Sequence, residues 1–235
     1  MSKNIKSIKF NFIMNFILTV SNFLFPLITF PYVSRVLLPE GTGKVAFALS
    51  IVSYFTIFAS FGVATYGIRA IAQVRDDKER LSKTMHELLF INIISMTIVY
   101  VALAIAILVV PKFAMEKELF GVTSLFILFT IVGVEWLYKG LEKYQYITIR
   151  TIIFKIASLF LVFLFVKEKS DYIIFAFISI FAIVGSGVLN LINSRKLINY
   201  TLYSEYEFKK HLKPMFVLFL TSMAIAIYTS LDEGC

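Results

Sequence analysis

Apolar runs of about twenty residues recur along this chain, and that pattern narrows what it can become. A helix needs about 20 mostly apolar residues to cross a bilayer. Six runs meet that length, at 10–36, 45–68, 88–110, 119–138, 147–166 and 172–192, and a seventh begins after Pro214. Charged residues make up only 16% of the chain and hydrophobic residues 59%, with a mean hydropathy of +0.83. Soluble domains carry about 25% charged residues, and one of this size could not cover so much apolar surface. The expected fold is an all-α polytopic membrane helix bundle, with about six full transmembrane helices and a partial seventh. Lys3, Lys6 and Lys9 precede the first run as in a signal peptide. That run is much longer than an h-region of about 7–15 residues and shows no small-residue cleavage site, so it is expected to be a retained helix.

Charge sets the expected orientation. Sixteen Lys and Arg residues fall in segments 1–9, 69–87, 139–150 and 193–213, against six in the alternating segments. Positive loops face the cytoplasm, so the N-terminus is expected there. The long basic segments 69–87 and 193–213 fit amphipathic surface helices on anionic lipid, or plain solvated helix extensions. The net charge of +8 does not gather in a soluble-looking segment, and nucleic acid is not an expected partner. Cys235 is the single cysteine, which excludes an intrachain disulfide. His86 and His211 have no zinc-site spacing around them.

Polar residues inside the runs are the candidate site, because polar groups in hydrocarbon usually face a protein interior or wet cavity. Asn11, Asn15, Asn22 and Thr29 share one face of the first helix, which Pro26 and Pro31 are expected to bend. Ser53, Thr56, Ser60 and Gly67 form a stripe on the second run; Thr148, Thr151, Lys155 and Ser158 form another on the fifth. Cavity lining and helix–helix packing both fit these stripes. Lys155 lies about two turns inside its run, roughly 12 Å at the helical rise. A cation there attracts a phosphate-bearing substrate or snorkels. Arg35 and Arg69 end the first two runs, suited to phosphate binding or headgroup anchoring. Glu135 and Trp136 end the fourth run, and Gly185 and Gly187 suit close packing in the sixth. Asp232 follows a helix bearing Thr221, Ser222, Tyr228 and Thr229, and inside a longer helix it would bind a cation or proton.

Four segments carry a family resemblance: FPLITFPYVSRVLLPEGTGKVAFALSIVSYF (25–55), YGIRAIAQVRDDKERLSK (66–83), GVEWLYKGLEKYQYITIR (133–150) and HLKPMFVLFLTSMAIAIYTSLD (211–232). Together they resemble bacterial lipid-linked oligosaccharide flippases of the multidrug/oligosaccharidyl-lipid/polysaccharide exporter superfamily. The resemblance implies a two-lobed helical fold around a central cavity. It implies alternating-access transfer of undecaprenyl-diphosphate-linked repeat units across the inner membrane for O-antigen or capsule, with a polysaccharide polymerase and export machinery as further partners. It further implies substrate handling by Arg35, Arg69 and Arg150, and gradient coupling, by proton or sodium, through Asp232. No other cofactor is expected.

On that resemblance, residues 1–200 form a first six-helix lobe, and 201–235 a cytoplasmic linker with the start of a seventh helix. Relatives run to about twice this length, and Glu233-Gly234-Cys235 breaks the family's apolar pattern, so a truncated form is expected. Three other readings compete. A multidrug exporter of the same superfamily would favour acids midway along the early helices, and the first three runs carry none. A membrane enzyme would need gathered catalytic groups, often on loops, and the intervening loops are short. A non-functional lobe fragment is the third.

Overall fold

A computed structural model describes residues 8–201, 203 and 205–232. The elements are α1 (Ile8–Ser60), α2 (Val63–Val74), α3 (Lys78–Val109), α4 (Pro111–Met115), α5 (Lys117–Val132), α6 (Glu135–Gly140), α7 (Tyr144–Phe165), a 3₁₀ turn (Lys169–Asp171), α8 (Tyr172–Ser194) and α9 (Lys209–Asp232). Six helical stretches among the described residues are long and apolar enough to cross a membrane. The chain is an all-α polytopic membrane bundle.

The first stretch holds two crossings. Leu38 sits at φ 60°, ψ 173°, outside the helical region. A leucine rarely adopts positive φ. Pro39 contributes, because a residue before proline is pushed from helical toward extended ψ. The chain reverses at this point. Thr148 near the start of α7 donates to the Met14 carbonyl at 2.9 Å, and Tyr32 donates to Val166 beyond the end of α7 at 2.8 Å. By Ser60 the chain has returned to the end where α6 and α7 begin. Pro26 and Pro31 keep helical φ/ψ, and the break in α1 falls at Leu38, before Pro39.

Two apolar runs also end earlier than their composition suggests. The second stops at Ser60, because Phe61 (φ 43°) and Gly62 (φ 76°) turn the chain into α2. Gly67 thus leaves the expected stripe with Ser53, Thr56 and Ser60, whose hydroxyls bond back to their own helix. The fourth run breaks at Val134 (φ 41°), so Glu135 and Trp136 open α6 rather than ending α5. Both short helices pack on each other. α2 buries Val63, Gly67, Ala70 and Ile71, one helical stripe. A Cβ on Gly67 would lie 2.8 Å from the Trp136 ring, and one on Gly140 would lie 2.7 Å from the Ile71 Cβ. Each glycine makes room for the other helix's large side chain.

At the Leu38 end, Lys44 pairs with Glu116 at 2.9 Å, and Tyr172 donates to Glu116 at 3.0 Å. At the opposite end, α9 docks on α2 and α3 through the fully buried Glu87. Its carboxylate accepts from the Glu207 backbone N–H and His211 Nε2, both at 2.7 Å, and from Lys210 Nζ at 3.1 Å. With Nε2 donating, the Nδ1 of a neutral His211 accepts from the Tyr66 hydroxyl at 2.9 Å. Burial raises the Tyr66 phenol above its ordinary value, which keeps it a donor.

Candidate functional site

A cavity of about 520 Å³ lies among α1, α5, α6, α7 and α8. On α8, Ser179, Ala182, Ile183, Ser186, Gly187 and Asn190 line it, spaced at i, i+3, i+4, i+7, i+8 and i+11. Asn15, Thr19 and Asn22 line it from α1, Thr151, Lys155 and Ser158 from α7, and Phe126, Phe129 and Thr130 from α5. Glu135, Trp136 and Lys139 come from α6. Asn15, Thr19 and Asn22 are exposed, so the cavity opens along α1.

The α5–α6 break shapes one wall. A helix end leaves backbone carbonyls without helical partners. Asn190 Nδ2 donates to the Gly133 carbonyl at 2.6 Å, and Tyr138 donates to the Asn190 carbonyl at 2.7 Å. Arg150 Nη1 donates to Asn190 Oδ1. Its Nη2 lies 3.6 Å from Glu135, which Lys139 also holds at 2.8 Å. Buried polar groups are costly unless bonded; Asn190 and the Arg150 Nη1 satisfy each other here, while Arg150 Nε has no protein partner. Gly187 lets α8 approach the break: a Cβ there would lie 3.1 Å from the Phe129 carbonyl. The close packing expected at Gly187 is observed.

Three buried polar atoms on the cavity wall have no protein partner: Trp136 Nε1, Ser158 Oγ and Ser186 Oγ. Their residues are 4%, 1% and 6% exposed. Lys155 adds a cation, with Nζ donating to Asn22 Oδ1 and, at 3.3 Å, to Ser21 Oγ. The site thus offers an indole donor, two hydroxyls and an ammonium beside neutral amides. That is a lining suited to hydroxyl-rich and anionic groups.

Asn15, Asn22 and Lys155 line one cavity, with Asn15 and Asn22 on the same side of α1. Arg150 is buried behind the wall, holding Asn190 and Glu135, with its guanidinium 5.4 Å from the Tyr146 ring. Arg35 is exposed on α1, three residues before the Leu38 break, and Arg69 is exposed on α2; neither lines the cavity. Asp232 closes α9, and its side chain lies outside the described residues. Sequence reasoning missed Thr130, Ser179, Ser186 and Asn190. The signal was present on α8, where Ser179, Ser186 and Asn190 repeat the α1-type spacing.

Comparison with known proteins adds the family. Residues 8–233 match the family described as "Polysaccharide biosynthesis protein". The chain belongs to this family. Two curated relatives carry the name "Putative O-antigen transporter". One, from Escherichia coli (strain K12), is 27% identical over 232 residues, covering 98% of this chain and 56% of the relative. The other, from Shigella dysenteriae, is 26% identical over 223 residues, covering 94% of this chain and 56% of the relative. The chain therefore spans just over half the length of these family members. No solved structure matches it.

Proposed function

We propose that this chain forms the first lobe of a transporter that moves undecaprenyl-diphosphate-linked oligosaccharide repeat units across the inner membrane by alternating access. The observation that carries this reading is the cavity: three unpartnered buried polar atoms, neutral amides and Lys155, whose bonds go to neutral groups, beside the Lys139–Glu135 ion pair inside a largely apolar bundle. Family membership and the relatives' names support the substrate class. The basic bias of segments 1–9, 69–87, 139–150 and 193–213 supports a cytoplasmic N-terminus. Trp136, Asn15, Asn22 and Ser186 then receive the sugars, and Lys155 the diphosphate. Arg150 is a positioning residue that fixes Asn190 and Glu135. Arg35 and Arg69 contact phosphate at opposite membrane faces, and Asp232 couples transfer to a proton or sodium gradient.

Trp136 is the single tryptophan of the chain, so its emission reports on the cavity directly. Titration of the protein in nanodiscs with a short-chain isoprenyl-diphosphate-linked disaccharide should give a saturable change in that emission. The sugar-free isoprenyl diphosphate should give a weaker one. Equal responses to both ligands, or none to either, would overturn the reading.

A further inference from the structure

The seam between α7 and the first arm of α1 has two unlike sides. Its inner side is the polar cavity. Its outer side is an apolar groove of about 370 Å³, lined by Phe16, Val20 and Leu24 of α1 and by Ile152, Ile156 and Leu159 of α7. Lys155 borders both spaces. Its bonds to Ser21 and Asn22 tie α7 to α1 across the seam. No carboxylate lines the groove. The one that lines the cavity, Glu135, is held by Lys139 and Arg150. Among the described residues, the hydrogen-bond partners of Lys155 are neutral.

Position sharpens the point. Lys155 lies eleven residues into α7, about 16 Å along the helix at the usual rise. That is roughly half of a hydrocarbon core of about 30 Å. A cation at that depth without an acid beside it is expensive, and a bound anion relieves the expense. The surroundings run in order: a polar chamber, one ammonium, an apolar channel facing outward.

We infer that this seam holds an amphiphile across its junction, with the diphosphate at Lys155, the sugars in the cavity and the first isoprenoid units in the groove between α1 and α7. The inference rests on the function proposed above and adds the route of the lipid tail. The order polar, anionic, apolar in the ligand matches the order across the seam. The tail passes sideways into the bilayer and never enters the polar chamber. An ordinary phospholipid would fill the groove as well, but it has nothing to place in the cavity beyond Lys155.

The test uses the full chain in nanodiscs and two photoreactive probes with diazirines near the head of the tail. One is a polyprenyl-diphosphate-linked disaccharide; the other is phosphatidylglycerol. The disaccharide probe should label segments 16–28 and 152–159, and unlabelled ligand should compete. Lys155→Gln should cut this labelling about tenfold, the loss expected for one charge-assisted bond. Val20→Phe fills the groove from an exposed position outside the cavity. It should reduce labelling while the Trp136 response persists. Equal labelling by phosphatidylglycerol, labelling confined to other helices, or no effect of Lys155→Gln would each overturn the inference. A saturable Trp136 response without groove labelling removes this inference alone. Loss of the Trp136 response removes the proposed function first.

Discussion

Two polar stripes in this molecule look alike in sequence and end differently. On the second arm of α1, Ser53, Thr56 and Ser60 each donate to a carbonyl three or four residues earlier, at 2.7–3.0 Å. They need nothing outside their own helix. On α8, Ser179 does the same, but Ser186 has no partner and Asn190 bridges to Gly133 and Arg150. A hydroxyl can return its proton to its own turn. An amide or ammonium satisfies itself that way less readily and must reach another helix or a ligand. The buried hydroxyls left without a partner, Ser158 and Ser186, both line the cavity.

That contrast breaks at its strongest point with Asn190→Leu. The change strips the Gly133 carbonyl of its cap and leaves Arg150 a buried charge without its amide partner. The expected loss is about 3–5 kcal/mol, measured by thermal unfolding in detergent with Trp136 emission as the probe. A loss under about 1 kcal/mol would show that the wall does not depend on this hub. Gly67→Ala should come next, because the added methyl meets the Trp136 ring. A cost of about 1–3 kcal/mol is expected from overpacking, together with a shift in Trp136 emission that a change elsewhere on α2 would not give. Ser186→Ala loses no protein bond, so stability should hold within about 0.5 kcal/mol. Ligand affinity in the Trp136 titration should fall roughly fivefold, as for one neutral hydrogen bond. Ser53→Ala, on the self-satisfied stripe, should move stability by less than about 0.5 kcal/mol and leave the titration unchanged. A Ser53→Ala variant that binds as poorly as Ser186→Ala would erase the distinction between the stripes.

Much of the bundle was legible because a bilayer demands length and apolarity, and both are local properties. The two arms of α1 stood apart as separate runs, with a proline at their junction. The breaks at Phe61–Gly62 and at Val134 were hidden, since apolar residues continue across them. What decides them is the packing of α2 on α6, a contact between residues far apart in sequence. Lys155, Asn15 and Asn22 were legible from depth and spacing. For Arg150 the family resemblance implied substrate handling, and its local sequence names no partner. Its partner Asn190 lies forty residues on, on another helix. Local patterns show that a polar group needs a partner; they do not show which one.

Glu87 has a mechanical consequence. Three donors from one short stretch, Glu207, Lys210 and His211, converge on a single carboxylate with no exposed surface. Sliding α9 along α3 by one turn would break all three bonds together and strand an ion in a low-dielectric interior. Small displacements of α9 are therefore resisted like the opening of a ratchet. Either the clasp holds, and α9 rides with α3 as one stiff body, or it releases completely.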